Sequence, residues 1–151
     1  MWHCLTDTLF IVMSGMICGY EEWDLIHQWA KAKVTQKWLR RYIGLSNGIP
    51  SLSTKKRCMG LIELEAFEAR FIAWMKAMHA LELGCREGED RNQTHEATAV
   101  RNLATVRRKV FNTLQQETRI HPKLSKAKKR VVAATDPKYR DVLIDLNFKD
   151  R

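Results

Sequence analysis

The sequence predicts an all-α fold: an N-terminal helical bundle, then a long C-terminal helix with a basic helical tail. Three observations predict it. Apolar residues recur at three- and four-residue spacing through most of the chain, which is the period of one helix face. Only 7 Gly and 3 Pro occur, too little turn chemistry for a sheet sandwich or barrel. With 45% hydrophobic and 28% charged residues, the 151-residue chain is globular in composition and long enough to bury a core without staples.

The first helix is expected over Leu5–Cys18. It is apolar nearly all round, as a central core helix should be, and Thr6 or Asp7 can cap its start. Gly19 stands where a C-terminal cap would fall. A second helix is expected over Glu21–Lys33, acidic at its start (Glu21, Glu22, Asp24) and basic at its end (Lys31, Lys33), which suits the helix dipole. Its buried face is read as Trp23, Ile26, His27 and Ala30. A third, Gln36–Ile43, turns Trp38, Leu39 and Tyr42 inward and Lys37, Arg40 and Arg41 outward.

Asn47-Gly48 and Pro50 make 44–53 a loop, after which Ser51 or Ser53 can cap a helix carrying Lys55, Lys56 and Arg57 in its first turns. Cations oppose the dipole there, yet basic side chains beside backbone N–H groups are also how phosphates are gripped. A solvated basic turn is the plain alternative. The stretch 63–83 carries Leu64, Phe67, Phe71, Trp74, Met75 and Met78 as a helical core stripe. The polar segment 84–95 then breaks the pattern and divides an N-terminal helical domain, 1–83, from a C-terminal segment, 96–151.

Within that segment a long helix is expected over Glu96–Thr118, with Val100, Leu103, Ala104, Val110, Phe111 and Leu114 along one side. His121-Pro122 ends it. The basic tract 123–130 enters a helix to about Ala134, and Pro137 opens a last helix, to Leu146, packing Tyr139, Val142, Leu143 and Leu146.

The formal net charge of +9 lies wholly in the C-terminal third. Residues 1–100 hold 12 Lys and Arg against 12 Asp and Glu, whereas residues 101–151 hold 14 against 5. A one-signed field attracts polyanions, and contacts to phosphates gain affinity by releasing counterions. Nucleic acid is the leading reading; an anionic membrane surface or a solvated face would show the same charge.

Other chemistries find little footing. The four cysteines (Cys4, Cys18, Cys58, Cys85) are scattered without a CxxC pair, which implies reduced thiols and no zinc site. The apolar run Leu9–Cys18 is about half the ~20 residues that span a bilayer, and no basic stretch precedes it as in a signal peptide. A cytoplasmic protein without a membrane partner is expected. No G-x-S-x-G elbow and no Gly-rich phosphate loop occurs, and no apolar strand ends in an Asp that would hold Mg²⁺.

Two stretches resemble one family, the H-repeat-associated transposases of bacterial insertion sequences. The first is residues 2–78. His3, Leu5, Asp7 and Leu9, then Gly19, Trp23 and Ile26, match its H-x-L-x-D-x-L and G-x-x-x-W-x-x-I patterns. Asn47, Gly48, Ile49, Pro50, Ser51, Thr54 and Arg57 match N-G-I-P-S-x-x-T-x-x-R. Phe67, Phe71 and Trp74 match F-x-x-x-F-x-x-W. The second is residues 89–146, where Asn102, Leu103, Ala104, Arg107 and Arg108 carry N-L-A-x-x-R-R.

In complete members these parts flank a ribonuclease H-like catalytic domain whose Asp, Asp and Glu hold Mg²⁺. The family's I-D-G-K and H-W-x-x-E-N motifs are absent here, so no catalytic residue has a position to occupy. The resemblance therefore implies an internally deleted transposase, its junction within 84–95, with no catalytic site and no cofactor of its own. It also implies N-terminal helices that help recognise DNA ends, and a C-terminal helix that normally packs on the missing domain. DNA is the expected partner, which would place the protein at the nucleoid, and an intact transposase is a second one. Phosphate contacts are assigned to Lys55, Lys56, Arg57, Arg107, Arg108, Lys126, Lys128, Lys129 and Arg130. A pseudogene product without a specific partner, and catalysis completed by an intact transposase in trans, stand as the other readings.

Overall fold

The computed structural model describes residues 5–62 and 92–149. Among the described residues there are seven helices and no strand: α1 (Leu5–Ile17), α2 (Trp23–Lys31), α3 (Lys33–Leu39), α4 (Leu52–Gly60), α5 (Asn92–Gln116), α6 (Lys126–Thr135) and α7 (Pro137–Lys149). The predicted core stripe over 63–83, most of the 84–95 segment, Cys4 and Cys85 lie outside the described residues. Cys18 and Cys58 are buried and reduced.

Helix α1 is the axle. Every residue from Thr8 to Ile17 is buried, and α2, α4, α5, α6 and α7 all pack against it. A helix covered on all sides has no face left for polar residues, which is why this segment reads as apolar all round. It stops in a Schellman turn: the Gly19 N–H bonds to Met16 O and the Tyr20 N–H to Gly15 O, both at 3.0 Å. That turn needs the positive φ of Gly19, +94°. Inside α1, Gly15 lets α2 approach closely, since a Cβ there would stand 3.1 Å from the Ile26 side chain.

The break between α2 and α3 falls at Ala32, earlier than the sequence pattern suggests. Ala32 is extended (φ −61°, ψ 133°), with its N–H on Trp29 O, and the Gln36 side chain caps Lys31 O at 2.9 Å. No Gly or Pro marks the spot. Ser51 caps α4, its Oγ accepting the Thr54 N–H at 3.1 Å, as expected.

The buried stripe of α5 is rotated by about one residue from the expected one. Ala99, Leu103, Val106, Val110 and Leu114 face the core, while Val100 is 59% exposed, Ala104 is exposed and Phe111 only half-buried. The polar Asn102, Thr105, Thr113 and Glu117 are buried too, so the apolar pattern alone understates this face. Asn102 reaches across to the end of α4, where its Nδ2 donates to Met59 O at 2.6 Å and Ile62 O at 2.8 Å. Those terminal carbonyls would otherwise be orphaned.

Both ends of the chain share one hydrophobic core. Phe10, Met13, Ile26, Trp38 and Met59 belong to the same buried cluster as Val106, Leu114, Ala133, Tyr139, Leu143 and Ile144. An aromatic group made by Phe10, Trp29, Trp38 and Tyr42 forms its N-terminal half, with Phe10 5.8 Å from the Trp38 ring centre and 5.2 Å from that of Tyr42. Asp141 of α7 locks onto that group. Its Oδ1 accepts from Trp38 Nε1 (2.7 Å) and Tyr42 OH (2.5 Å), and Oδ2 pairs with Arg41 at 3.2 Å.

Candidate nucleic-acid interface

The nine cations assigned to phosphate from the sequence divide into three groups in the structure. Two of them, Lys55 and Lys129, are turned inward and overturn that assignment. Lys55 is fully buried: its Nζ donates to Pro50 O at 2.6 Å and stands 2.7 Å from His27 Nδ1. Burial, with help from Lys31, pulls its pKa down to about 8, and burial and Lys55 together lower that of His27. Lys129 is 3% exposed, with Nζ donating to Leu114 O (2.9 Å) and Glu117 O and paired with the Glu117 carboxylate at 3.3 Å. Both side chains point into the fold and present no surface to a phosphate.

A second group is shared between fold and surface. Arg130 donates from Nε (3.1 Å) and Nη2 (2.9 Å) to Met16 O at the end of α1, and from Nη1 to Glu21 Oε1 at 2.7 Å. Arg107 on α5 meets the other oxygen of Glu21 at 3.5 Å. Arg130 pulls the Glu21 carboxyl below its ordinary range against a smaller effect of burial, and Arg107 adds to the pull.

The third group faces solvent. Arg57 on α4, Arg108 on α5, and Lys126 and Lys128 on α6 are exposed, and Lys56 is half-buried. Lys126 lies 5.8 Å above the Phe111 ring and Arg130 lies 5.2 Å from its centre. Arg107, Lys126 and Arg130 therefore converge where α5 and α6 meet, bordered by Phe111 and Glu21, and Arg108 and Lys128 extend the charge along the same two helices. The exposed Arg101, Arg119 and Lys123 belong to the same segment and were not singled out from the sequence.

Lys129, Arg130 and Arg140 turn inward for one physical cause. A helix leaves its last carbonyls without partners and carries partial negative charge at that end. Lys129 satisfies the end of α5 and Arg130 the end of α1. Arg140 satisfies the end of α6, donating to Ala133 O (2.9 Å) and Ala134 O (3.1 Å) while its guanidinium stacks 4.6 Å from Trp38 and 5.6 Å from Trp29. Sequence reasoning missed Glu21 because its partner Arg130 lies 109 residues away, and Arg140 because the Trp29 and Trp38 rings it stacks on are far along the chain, although its carbonyl partners on α6 are near. Among the described residues, no three His, Cys, Asp or Glu side chains group as metal ligands, and no helix is long and apolar enough to cross a membrane.

Residues 1–75 match the model of the DDE_Tnp_1-associated family. A Xanthobacter autotrophicus protein described as "Uncharacterized protein in dhlA 3'region" is 35% identical over 107 residues, 67% of this chain and 35% of that protein. "Putative transposase YncI" of Escherichia coli O157:H7 is 35% identical over 79 residues, 52% of this chain and 20% of the relative. "H repeat-associated putative transposase YhhI" of Escherichia coli (strain K12) is 31% identical over 78 residues, again 52% and 20%. The match thus spans about a third of the first relative and a fifth of the other two. No solved structure matches the chain.

Proposed function

Since this chain belongs to the DDE_Tnp_1-associated family and is a relative of insertion-sequence transposases, we propose that it binds DNA without cutting it. It is then an internally deleted transposase that keeps an end-recognition module and the basic C-terminal segment. It competes with an intact transposase for element ends.

One observation carries this reading: the convergence of Arg107, Lys126 and Arg130 at the meeting of α5 and α6, with exposed Arg108 and Lys128 on the same helices. Several cations held on two rigid helices present a fixed field to a phosphate backbone, and phosphate contacts supply most sequence-independent affinity. The non-catalytic part rests on the sequence, which contains neither the I-D-G-K nor the H-W-x-x-E-N motif. The shared core also favours a folded binder over a pseudogene product without a specific partner, because the apolar side of the Val100–Leu114 stretch is largely covered from within the chain.

Fluorescence anisotropy on a B-form duplex bearing element-end sequence tests the proposal between 50 and 200 mM salt. The affinity is expected to fall steeply with salt. Replacing Lys126 and Lys128 together by Gln should reduce the slope of log affinity against log salt by about 2, at roughly 0.9 per phosphate contact. Affinity that ignores salt, or a slope unchanged in the double variant, contradicts this interface. Incubation of the chain with Mg²⁺ and the same duplex should yield no nicks, and strand cleavage would overturn the non-catalytic reading.

A further inference from the structure

We propose that Glu21 is a built-in occupant of a phosphate site formed by Arg107 and Arg130, from which a nucleic-acid backbone displaces it. The proposal rests on the DNA-binding reading above and adds the regulation of that site. Glu21 sits in the link between α1 and α2, Arg107 on α5 and Arg130 on α6, so three separate elements meet at one carboxylate. Each of its oxygens faces one guanidinium group, at 3.5 and 2.7 Å. A phosphate bridging two arginines would use the same arrangement.

The protein contains its own standard of a purely structural carboxylate, and Glu21 differs from it. The Glu117 side chain is fully buried, and its oxygens accept from three backbone N–H groups, Tyr139 and Lys129. The Glu21 side chain is 38% exposed and within reach of a solvent-borne anion. Its hold on Arg107 is loose, since 3.5 Å is long for a charged hydrogen bond. Arg107 Nε is moreover shielded from solvent and makes no hydrogen bond. A shielded donor facing an anion that does not quite reach it is a donor waiting for a better acceptor.

Arg130 is prepared for the exchange. Its Nε and Nη2 are fixed on Met16 O, so Nη1 points into the site whether or not Glu21 is there. Lys126, above Phe111, stands at the edge of the same site and would meet the next phosphate along the strand. Exchange replaces one anion by another between the same two arginines. The carboxylate thus weakens binding of stray anions while a polyanion, held at several points, still displaces it.

The full-length chain tests this by anisotropy on duplex DNA from 50 to 200 mM salt, with three variants. Glu21→Gln is expected to bind about fivefold tighter than the parent and to steepen the salt slope by about 0.9, one added phosphate contact. Glu22→Gln makes the same charge change at the exposed neighbouring residue, which makes no side-chain cap bond, and is expected to stay within about twofold of the parent. Glu21→Asp keeps the charge but draws the carboxylate back by one methylene, and should also tighten binding, which guards against an unfolded Gln variant. Glu21 variants that bind no more tightly than Glu22→Gln, in a parent chain that does bind, overturn this proposal alone. Absence of salt-sensitive binding by the parent and every variant overturns the DNA-binding reading and this proposal with it.

Discussion

Replacing Glu117 by Ala is expected to lower folding stability by about 3–5 kcal/mol, because it leaves the Lys129 ammonium buried without its anion. The carboxylate sits where α5 ends, and two jobs meet in it. Oε1 accepts the N–H groups of Arg119 (2.9 Å) and Ile120 (2.7 Å), shaping the turn that leaves the helix. Oε2 accepts the Tyr139 hydroxyl at 3.0 Å and pairs with Lys129 at 3.3 Å, tying α7 and α6 to that turn. Burial alone would raise the carboxyl pKa, but the Ile120 N–H, Tyr139 and Lys129 together outweigh it and bring it down to about 2. The sign of the pH dependence follows. A carboxyl lowered on folding adds stability that is complete above its unfolded pKa of about 4.3 and is lost as pH falls toward 2. Urea unfolding should therefore show the parent losing stability steeply between about pH 4.5 and 2, with a shallower fall in Glu117→Gln. Equal slopes in the two proteins would remove this carboxylate as the acid-sensitive link.

Asp141→Ala is expected to cost about 2–3 kcal/mol, since it strips acceptors from two aromatic donors and leaves Arg41 without its carboxylate. Trp38 is 4% exposed, so its indole N–H has little water to turn to. Tyr42 is half-buried, and burial together with the Asp141 carboxylate holds its hydroxyl protonated well above the ordinary tyrosine range. A double-mutant cycle with Tyr42→Phe checks the account. The two changes should be less than additive by about 1 kcal/mol, because each breaks the same bond. Strict additivity would mean that Asp141 acts through something other than these donors.

The readable parts of the fold are those whose cause is local. Gly19 ends α1 because the Schellman turn requires a positive φ, and Ser51 caps α4 through its own Thr54 N–H; both causes lie within a few residues. The apolar run in α1 announces burial on every side. The break at Ala32 carries no Gly or Pro, and the side chain that seals it, Gln36, reads as an ordinary helix residue. The phase of α5 is misread because its buried face is part polar, and Asn102 earns its place only through the distant carbonyls of α4.

The candidate interface was legible as a charge excess and illegible in detail for a related reason. A basic tract such as 123–130 looks uniform, yet Lys128 faces solvent while Lys129 and Arg130 reach the carbonyl ends of α5 and α1. Which lysine turns inward depends on the helix end waiting for it, and that end belongs to a remote part of the chain. Lys55 turns inward for a different, local reason: a position that reads as a phosphate grip donates to Pro50 O in the loop before α4 and meets His27 Nδ1.

Residues 5–62 and 92–149 form one folding unit, and the candidate interface depends on it, because Arg130 is anchored on Met16 O of α1 and Glu21 bridges Arg107 and Arg130. Hydrogen exchange of the intact chain, resolved by segment under native conditions, tests this most directly. The amides of α1 at Ile11–Met16 and those of α5 at Val106–Leu114 should exchange with the same free energy and lose protection together as urea is added. Protection of α1 that survives while α5 and α6 exchange freely would show two separable halves, and the interface would lose the Met16 anchor and the Glu21 bridge that set Arg130 and Arg107.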